Sequence, residues 1–402
     1  MTYWPFFPGK GTRMTKMYSD LLKDEFDLTL ITTHRNNTGT KTILVEYDKN
    51  VKVVRIPYVH FKKSGFFWRG LSIMSFSFAC ILAIRYVKRG SIIYTCGPPE
   101  IPYFAISAEL IKFLRSAKQL GLVTDMIPDV AYDIGLVKSM NIRKVITRFC
   151  KWAYSRTDHI LTTTKSLCDH LTKYYGVSGS KISIIGTPVD VNEFRTKPIS
   201  DPDALRLERE RERFIILYSG SFGKMYDFDP ILQAALKLQK INENIFFIIR
   251  GDGEQKTSIS NGMQRLGLKN AILLGPVPDT DQIISFINVS AVCLELIRDS
   301  LSIDMTHPSK IFEYWACCKP VICTTQGETA TLIKQCNGGI AVPPRDPDAL
   351  VDAILYLFHN RDVLISMGKN GRDMVVKEFS YESVRQKLIR LVQKMASGPE
   401  HP

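Results

Sequence analysis

The sequence predicts an α/β fold made of two doubly wound parallel-sheet domains in series. Three observations carry this. Short apolar runs alternate with helix-like stretches through both halves, the chain is 402 residues long, and a charged segment divides it near the middle. That length is comfortable for two domains of roughly 200 residues, each able to bury its own core. With 45% hydrophobic and 23% charged residues, disorder is excluded as a description of the whole.

In the first half, strands are expected near 27–33, 52–56, 91–96, 119–124, 158–163 and 181–185, with helices near 12–24, 66–88, 101–115, 137–156 and 165–175. In the second half, strands near 214–219, 245–250, 271–274, 291–296, 320–324 and 339–342 alternate with helices near 229–240, 256–266, 279–287, 309–317, 328–335 and 346–359. Between Arg195 and Arg213 two prolines precede Leu-Arg-Leu-Glu-Arg-Glu-Arg-Glu-Arg, a run that reads as a solvated linker or short helix. The expected divisions are therefore a domain over 1–194, a linker over 195–213, a domain over 214–378, and a last helix with its tail over 379–402. The opening Met1-Thr-Tyr-Trp-Pro-Phe-Phe-Pro-Gly9 leaves almost no room for the strand that should precede such a turn. Either the first strand is a stub or the natural start lies upstream, and no secretory leader is visible.

The net charge of +13 is uneven: residues 1–190 hold 27 Lys or Arg against 14 Asp or Glu, whereas residues 191–402 hold 26 of each. A basic half can meet nucleic acid or an anionic membrane. Its surroundings favour the membrane and no nucleic acid. Lys62, Lys63, Phe66, Phe67, Trp68 and Arg69 lead into the uncharged stretch Leu71 to Ile84, followed by Arg85, Lys88 and Arg89. Fourteen uncharged residues are too few for a spanning helix, which needs about 20. A helix over 66–88 can instead lie in the headgroup region, or pack in the core, or do both with different faces. Nine cysteines without a C-x-x-C spacing point to a reducing compartment rather than to zinc or a disulfide framework, and seven histidines without an H-x-x-x-H pattern leave no metal site expected.

The most informative stretch is Pro308-Ser309-Lys310-Ile311-Phe312-Glu313-Tyr314-Trp315-Ala316, followed by Lys319-Pro320-Val321-Ile322. A helix starting at Ser309 offers free amides and the positive end of its dipole to a diphosphate, and Glu313 one turn later can accept from both ribose hydroxyls. Simple capping and a solvated Glu explain the same spacing. Tyr218-Ser219-Gly220-Ser221-Phe222-Gly223-Lys224 joins a strand to a helix, so Gly220 and Gly223 let the backbone approach a phosphate that Lys224 can neutralise. Arg250-Gly251-Asp252-Gly253 closes another strand, where its glycines permit a tight turn over a nucleobase. Asp125 ends a strand of the first half, where α/β sheets bind ligands, and is a candidate for activating an acceptor oxygen or contacting a donor sugar; a strand-end cap is the plainer account. The pairs Asp227/Asp229, Asp201/Asp203 and Asp346/Asp348 resemble metal-binding D-x-D motifs, but their places at helix starts and in the linker make capping the better explanation.

Pro-Ser-Lys-x-x-Glu-Tyr-x-Ala with Lys-Pro-Val-Ile resembles the nucleotide-binding signature of retaining glycosyltransferase family four, of GT-B fold, and within it the branch that transfers N-acetylated aminosugars such as N-acetylfucosamine. The resemblance covers nearly the whole chain. It implies two Rossmann-like domains facing across a crevice, with the C-terminal helix crossing back to the first. It implies donor contacts from Gly220, Gly223, Lys224, Arg250, Gly251, Gly253, Val277, Ser309, Lys310, Glu313 and Glu328, and acceptor contacts from Pro8, Gly9, Gly11, Asp125 and Asp129. Asp125, Lys224 and Glu313 are the expected catalytic set. Counting back from Glu313, Met305 stands where the wider family has a first Glu, and Gly327-Glu328 is the expected substitute. The implied activity is metal-independent, retaining transfer of an N-acetylated sugar from a UDP-linked nucleoside diphosphate sugar. No cofactor is expected. The acceptor would be a lipid-linked saccharide at the cytoplasmic face of an anionic membrane, in capsule or O-antigen biosynthesis. A non-hydrolysing UDP-aminosugar epimerase and a non-catalytic partner of a polysaccharide assembly are the alternatives.

Overall fold

The computed structural model describes residues 17–33, 42–48, 50–57, 75, 79–95, 102–133, 135–209, 213–277 and 279–397. The chain divides into two compact units, the first of residues 1–185 with 385–402, the second of residues 186–384.

The second unit is built on six parallel strands: β8 (Phe214–Ser221), β9 (Ile245–Asp252), β10 (Ala271–Leu274), β11 (Val292–Glu295), β12 (Val321–Thr324) and β13 (Gly339–Val342). Their spatial order is β10-β9-β8-β11-β12-β13. Phe214-Ile-Ile-Leu-Tyr218 and Ile245-Phe-Phe-Ile-Ile249 are unbroken apolar runs because a parallel strand here is covered on both faces. Alternate residues enter two cores, Ile215 and Leu217 one, Ile216 and Tyr218 the other. The sheet order reverses between β8 and β11, so loops leaving the carboxyl ends of those two strands diverge, at the place where α/β sheets bind ligands.

The first unit holds two sheets among the described residues. One is parallel, β4 (Ile92–Thr95), β5 (Lys118–Val123), β6 (His159–Thr162) and β7 (Ile182–Ile184), in sequence order. The other places β3 (Val51–Ile56) between β1 (Thr29–Thr33), parallel to it, and β2 (Leu44–Asp48), antiparallel to it. Helices α1 (Pro102–Arg115), α2 (Ile127–Asp133), α3 (Met140–Arg156) and α4 (Lys165–Tyr175) connect the parallel strands.

One expectation needs correction. The helix expected over 66–88 does not reach 88: residues 79–82 are helical, a 3-10 turn follows at Ile84–Tyr86, and Val87 is extended. There Ala79 and Ala83 pack on Val54 and Ile56 as core, while Lys62, Lys63, Phe66, Phe67, Trp68 and Arg69 lie outside the described residues. The charged run, expected as a solvated linker or short helix, holds the short helix α5 (Pro202–Arg209). Asp201 caps that helix at the amides of Asp203 and Ala204, and wholly buried Ala204 joins a core of the second unit. Residues 195–209 thus belong to the second unit, because a small apolar residue on one face of the charged helix has a hydrophobic surface to cover.

Helices α6 (Asp229–Ile241), α7 (Lys256–Arg265), α8 (Thr280–Val289), α9 (Leu301–Asp304), α10 (Ser309–Ala316), α11 (Glu328–Cys336), α12 (Pro347–His359), α13 (Arg361–Met374) and α14 (Tyr381–Ser397) complete the fold. From Arg385 onward α14 belongs to the first unit, where Arg385 pairs with Glu25 at 2.7 Å.

Candidate functional site

The candidate site of the second unit is built around the first turn of α10. Pro308 occupies the N-cap position and offers no side-chain cap, so Ser309 and Lys310 begin the helix without one. Two turns fasten this helix to the end of β8. The Tyr314 hydroxyl accepts from the Ser219 amide at 3.2 Å and donates to the Ser219 carbonyl at 3.1 Å. The Lys310 side chain lies along Gly220, where an added Cβ would stand 2.8 Å from Lys310 Cε.

Lys310 is held on all sides. Its Nζ donates to Glu295 Oε1 at 3.0 Å and to the Tyr218 hydroxyl at 3.2 Å, and sits 4.1 Å from the centre of the Tyr226 ring. Burial works against the ammonium, but Glu295 beside it and the surrounding tyrosines more than offset that, so its pKa lies well above the usual lysine range. Burial pushes the Tyr314 and Tyr218 phenols up. Glu295 ends β11 with no exposed surface, and the sequence reading missed it; a lone Glu closing an apolar strand was the available signal. Glu313, on the second turn of α10, is 8% exposed.

The loops beside this helix are glycine-dependent. Gly251 has φ +149°, and a Cβ there would lie 1.7 Å from the Gly220 carbonyl oxygen, so the ends of β8 and β9 meet backbone to backbone. Gly253, at φ +151°, rests likewise on the Phe222 backbone. Gly223 follows in the same loop, and Lys224 after it is exposed, its Nζ 3.5 Å from Glu254 Oε2 and its amide donating to Glu254 Oε1 at 3.2 Å. Arg250 lies apart from the glycine turn. Its guanidinium is buried 3.9 Å over the Phe286 ring of α8, and burial lowers its pKa against the pull of Asp201 and Asp203. Val277 is half-buried just beyond β10, and Glu328 opens α11.

Asp304 is a second carboxylate that the sequence reading passed over, one residue before Met305. It accepts from Thr325 Oγ1 at 2.9 Å, and its carbonyl presses on Gly327 at the start of α11; burial raises its pKa. His307 packs edge-on to Phe312 with both ring nitrogens buried, and burial, opposed by Glu328, brings its pKa down to about 4.

Asp125 and Asp129 lie in the first unit. Asp125, half-buried after β5, accepts from Thr124 Oγ1 at 3.2 Å. Asp129, in the first turn of α2, accepts from the Tyr175 hydroxyl at 2.7 Å and lies 3.3 Å from His170 Nε2, which ties α2 to α4. Pro8, Gly9 and Gly11 lie outside the described residues. The D-x-D pairs all cap: Asp227 bonds the Asp229 amide, Asp201 those of α5, and Asp346 the Ala349 amide. Among the described residues no group of three or more His, Cys, Asp or Glu is placed to hold a metal ion.

Geometry of this kind, a doubly wound sheet with a helix start and glycine turns at its switch point, defines a class rather than a chemistry. The class follows from two family profiles that divide the chain between them: Glycosyltransferase Family 4 matches residues 9–193, and Glycosyl transferases group 1 matches residues 204–374. Both halves are therefore domains of glycosyltransferases, and the fold is GT-B. Among curated proteins the chain is 25% identical over 296 residues to WcaI of Escherichia coli strain K12, assigned as a colanic acid biosynthesis glycosyl transferase, with 71% of each chain covered. Among solved structures it superposes on sucrose-phosphate synthase of Thermosynechococcus elongatus with a TM-score of 0.78, 16% identity, and coverage of 97% of this chain and 94% of that one. HepE of Anabaena in complex with UDP gives a TM-score of 0.72 at 12% identity, covering 97% and 98%.

Proposed function

We propose that this glycosyltransferase moves a sugar, N-acetylated by the resemblance of its Pro-Ser-Lys branch, from a UDP-sugar to a lipid-diphosphate-linked acceptor in surface polysaccharide assembly, with retention and without a metal. The supporting observation is the fastening of α10 to the end of β8, which holds the helix start at Ser309 and Lys310 against Gly220, with Glu313 buried one turn further on. In this reading the amides, the helix dipole and the Lys224 ammonium take the charge that develops on the departing diphosphate, and Glu313 receives the ribose hydroxyls. The expected peripheral position on the inner membrane face belongs to the same reading. The assignment of WcaI to colanic acid, and of UDP to HepE, agree with a polysaccharide acceptor and a UDP donor.

Incubation of the purified chain with UDP-sugars and a lipid-diphosphate sugar acceptor tests the reading. Radiolabel appearing in the lipid phase supports it. Epimerised free donor points to the epimerase alternative, and an inert mixture in which UDP still binds points to a non-catalytic role.

A further inference from the structure

Helix α3 carries five basic residues, Arg143, Lys144, Arg148, Lys151 and Arg156, and no acidic one. Two have structural work. Arg143 donates to the Val137 carbonyl at 2.7 Å, and Arg156 to Glu109 Oε2 at 2.7 Å. Lys144, Arg148 and Lys151, spaced i, i+4, i+7 on one exposed stripe, form no ion pair with any described residue.

Beside them runs an apolar stripe at i, i+3, i+7, i+10. Ile142 is 54% exposed, Val145 71% and Trp152 40%, with half-buried Phe149 between, its ring 5.3 Å from that of Trp152. Leu136 and Met140, before and at the helix start, are 69% and 62% exposed. Only Cys150, Ala153 and Tyr154 of this helix are buried, so its inner face is already satisfied and the outer one is a separate surface. The neighbouring α1 is tied to the end of α3 by Lys112, which bonds the Arg156 carbonyl, and carries Phe113, 84% exposed.

We infer that the outer face of α3 is a membrane-interface surface whose partner is an anionic lipid bilayer. Exposed aliphatic and aromatic side chains next to unpaired cations suit the boundary between acyl chains and negative headgroups, which accepts both at once. A nucleic acid leaves Ile142 and Val145 without a role, because phosphate contacts need only the cations. The excess of 27 basic over 14 acidic residues in positions 1–190 adds a long-range attraction of the same sign. This inference rests on the lipid-linked acceptor of the proposed function, and assigns the contact to α3 instead of the segment 66–88.

Co-sedimentation of the full chain with vesicles of phosphatidylcholine alone, or equimolar with phosphatidylglycerol, is the test. The wild type is expected to bind the anionic vesicles much more tightly than the neutral ones. The variant Lys144→Gln/Arg148→Gln/Lys151→Gln should lose about tenfold or more of that affinity at low salt, while Val145→Ser/Trp152→Ser should lose the residue that survives high salt. With brominated acyl chains, tryptophan quenching should fall in Trp152→Phe and persist in Trp68→Phe. The inference is overturned if folded variants sediment as wild type, if quenching follows Trp68 instead, or if the apolar variant abolishes self-association in vesicle-free gel filtration, which would make the face a protein interface. Transfer to a water-soluble acceptor, measured on the same proteins, separates this surface from the chemistry. Activity without vesicle binding sinks only the surface, and vesicle binding without activity sinks only the transferase reading.

Discussion

Lys310 and Glu295 form an ion pair at 3.0 Å in which the carboxylate has no exposed surface and the ammonium lies among three tyrosines. Such a pair is weak support for stability as a whole but costly to break singly, since the remaining charge is left buried. Glu295→Ala and Lys310→Met are each expected to lower unfolding free energy by about 3–5 kcal/mol. The double variant should fall well short of the sum, as urea denaturation of all four proteins will show. Additive losses would mean the two side chains do not meet.

Glu313→Gln should weaken UDP binding by about 1.5–3 kcal/mol, the range for a hydrogen bond to a charged group, with the fold intact. Calorimetric titration of UDP into the variant checks this. An unchanged affinity removes the ribose from Glu313.

His307 gives the protein an acid limb. Its folded pKa of about 4 lies below the ordinary 6.5, so the unfolded chain takes up a proton first as pH falls. The stability it contributes is therefore full above about 6.5 and drains away down to about 4, a loss of about 3 kcal/mol. His307→Asn should flatten the pH dependence of the melting free energy across that window. A slope as steep as wild type would place the titration elsewhere.

Gly251→Ala combines a φ of +149° with a Cβ aimed at the Gly220 carbonyl. Expected destabilisation exceeds about 2 kcal/mol, and the loop after β8 should shift with it. Thermal melting together with UDP titration will report both effects. A fully stable variant that binds UDP normally would show that β8 and β9 do not approach so closely.

Transfer should persist in excess EDTA, because in the proposed reading protein donors take the phosphate charge. An assay in which activity vanishes and returns only with magnesium or manganese overturns that part of the mechanism.

The elements most legible in the sequence were those with unbroken apolar runs. Phe214 to Tyr218 and Ile245 to Ile249 announce buried strands because a parallel sheet covered on both faces needs every residue apolar. β2 escaped notice for the opposite reason. Its residues Leu44 to Asp48 are exposed or half-buried, two of them acidic, and only pairing with β3 makes them a strand. The fourteen-residue α13 was not expected, and its Gly368 and Gly371 weaken the local helix signal. They are there because the helix lies on α10 and its exit: a Cβ at Gly371 would stand 2.2 Å from Trp315 Cδ1, and one at Gly368 2.1 Å from the Cys318 carbonyl.

By itself, then, the sequence determined the two-part α/β organisation, the helix beginning at Ser309 and the glycines of the strand-end turns, since these follow from local periodicity and backbone freedom. Tertiary structure alone decided that Glu295 answers Lys310, that Tyr314 closes on Ser219, that Asp129 holds Tyr175, and that Arg250 lies under α8. Each of these joins residues distant in sequence, or orients a charged side chain by what it is packed against. Spacing along the chain carries no record of either.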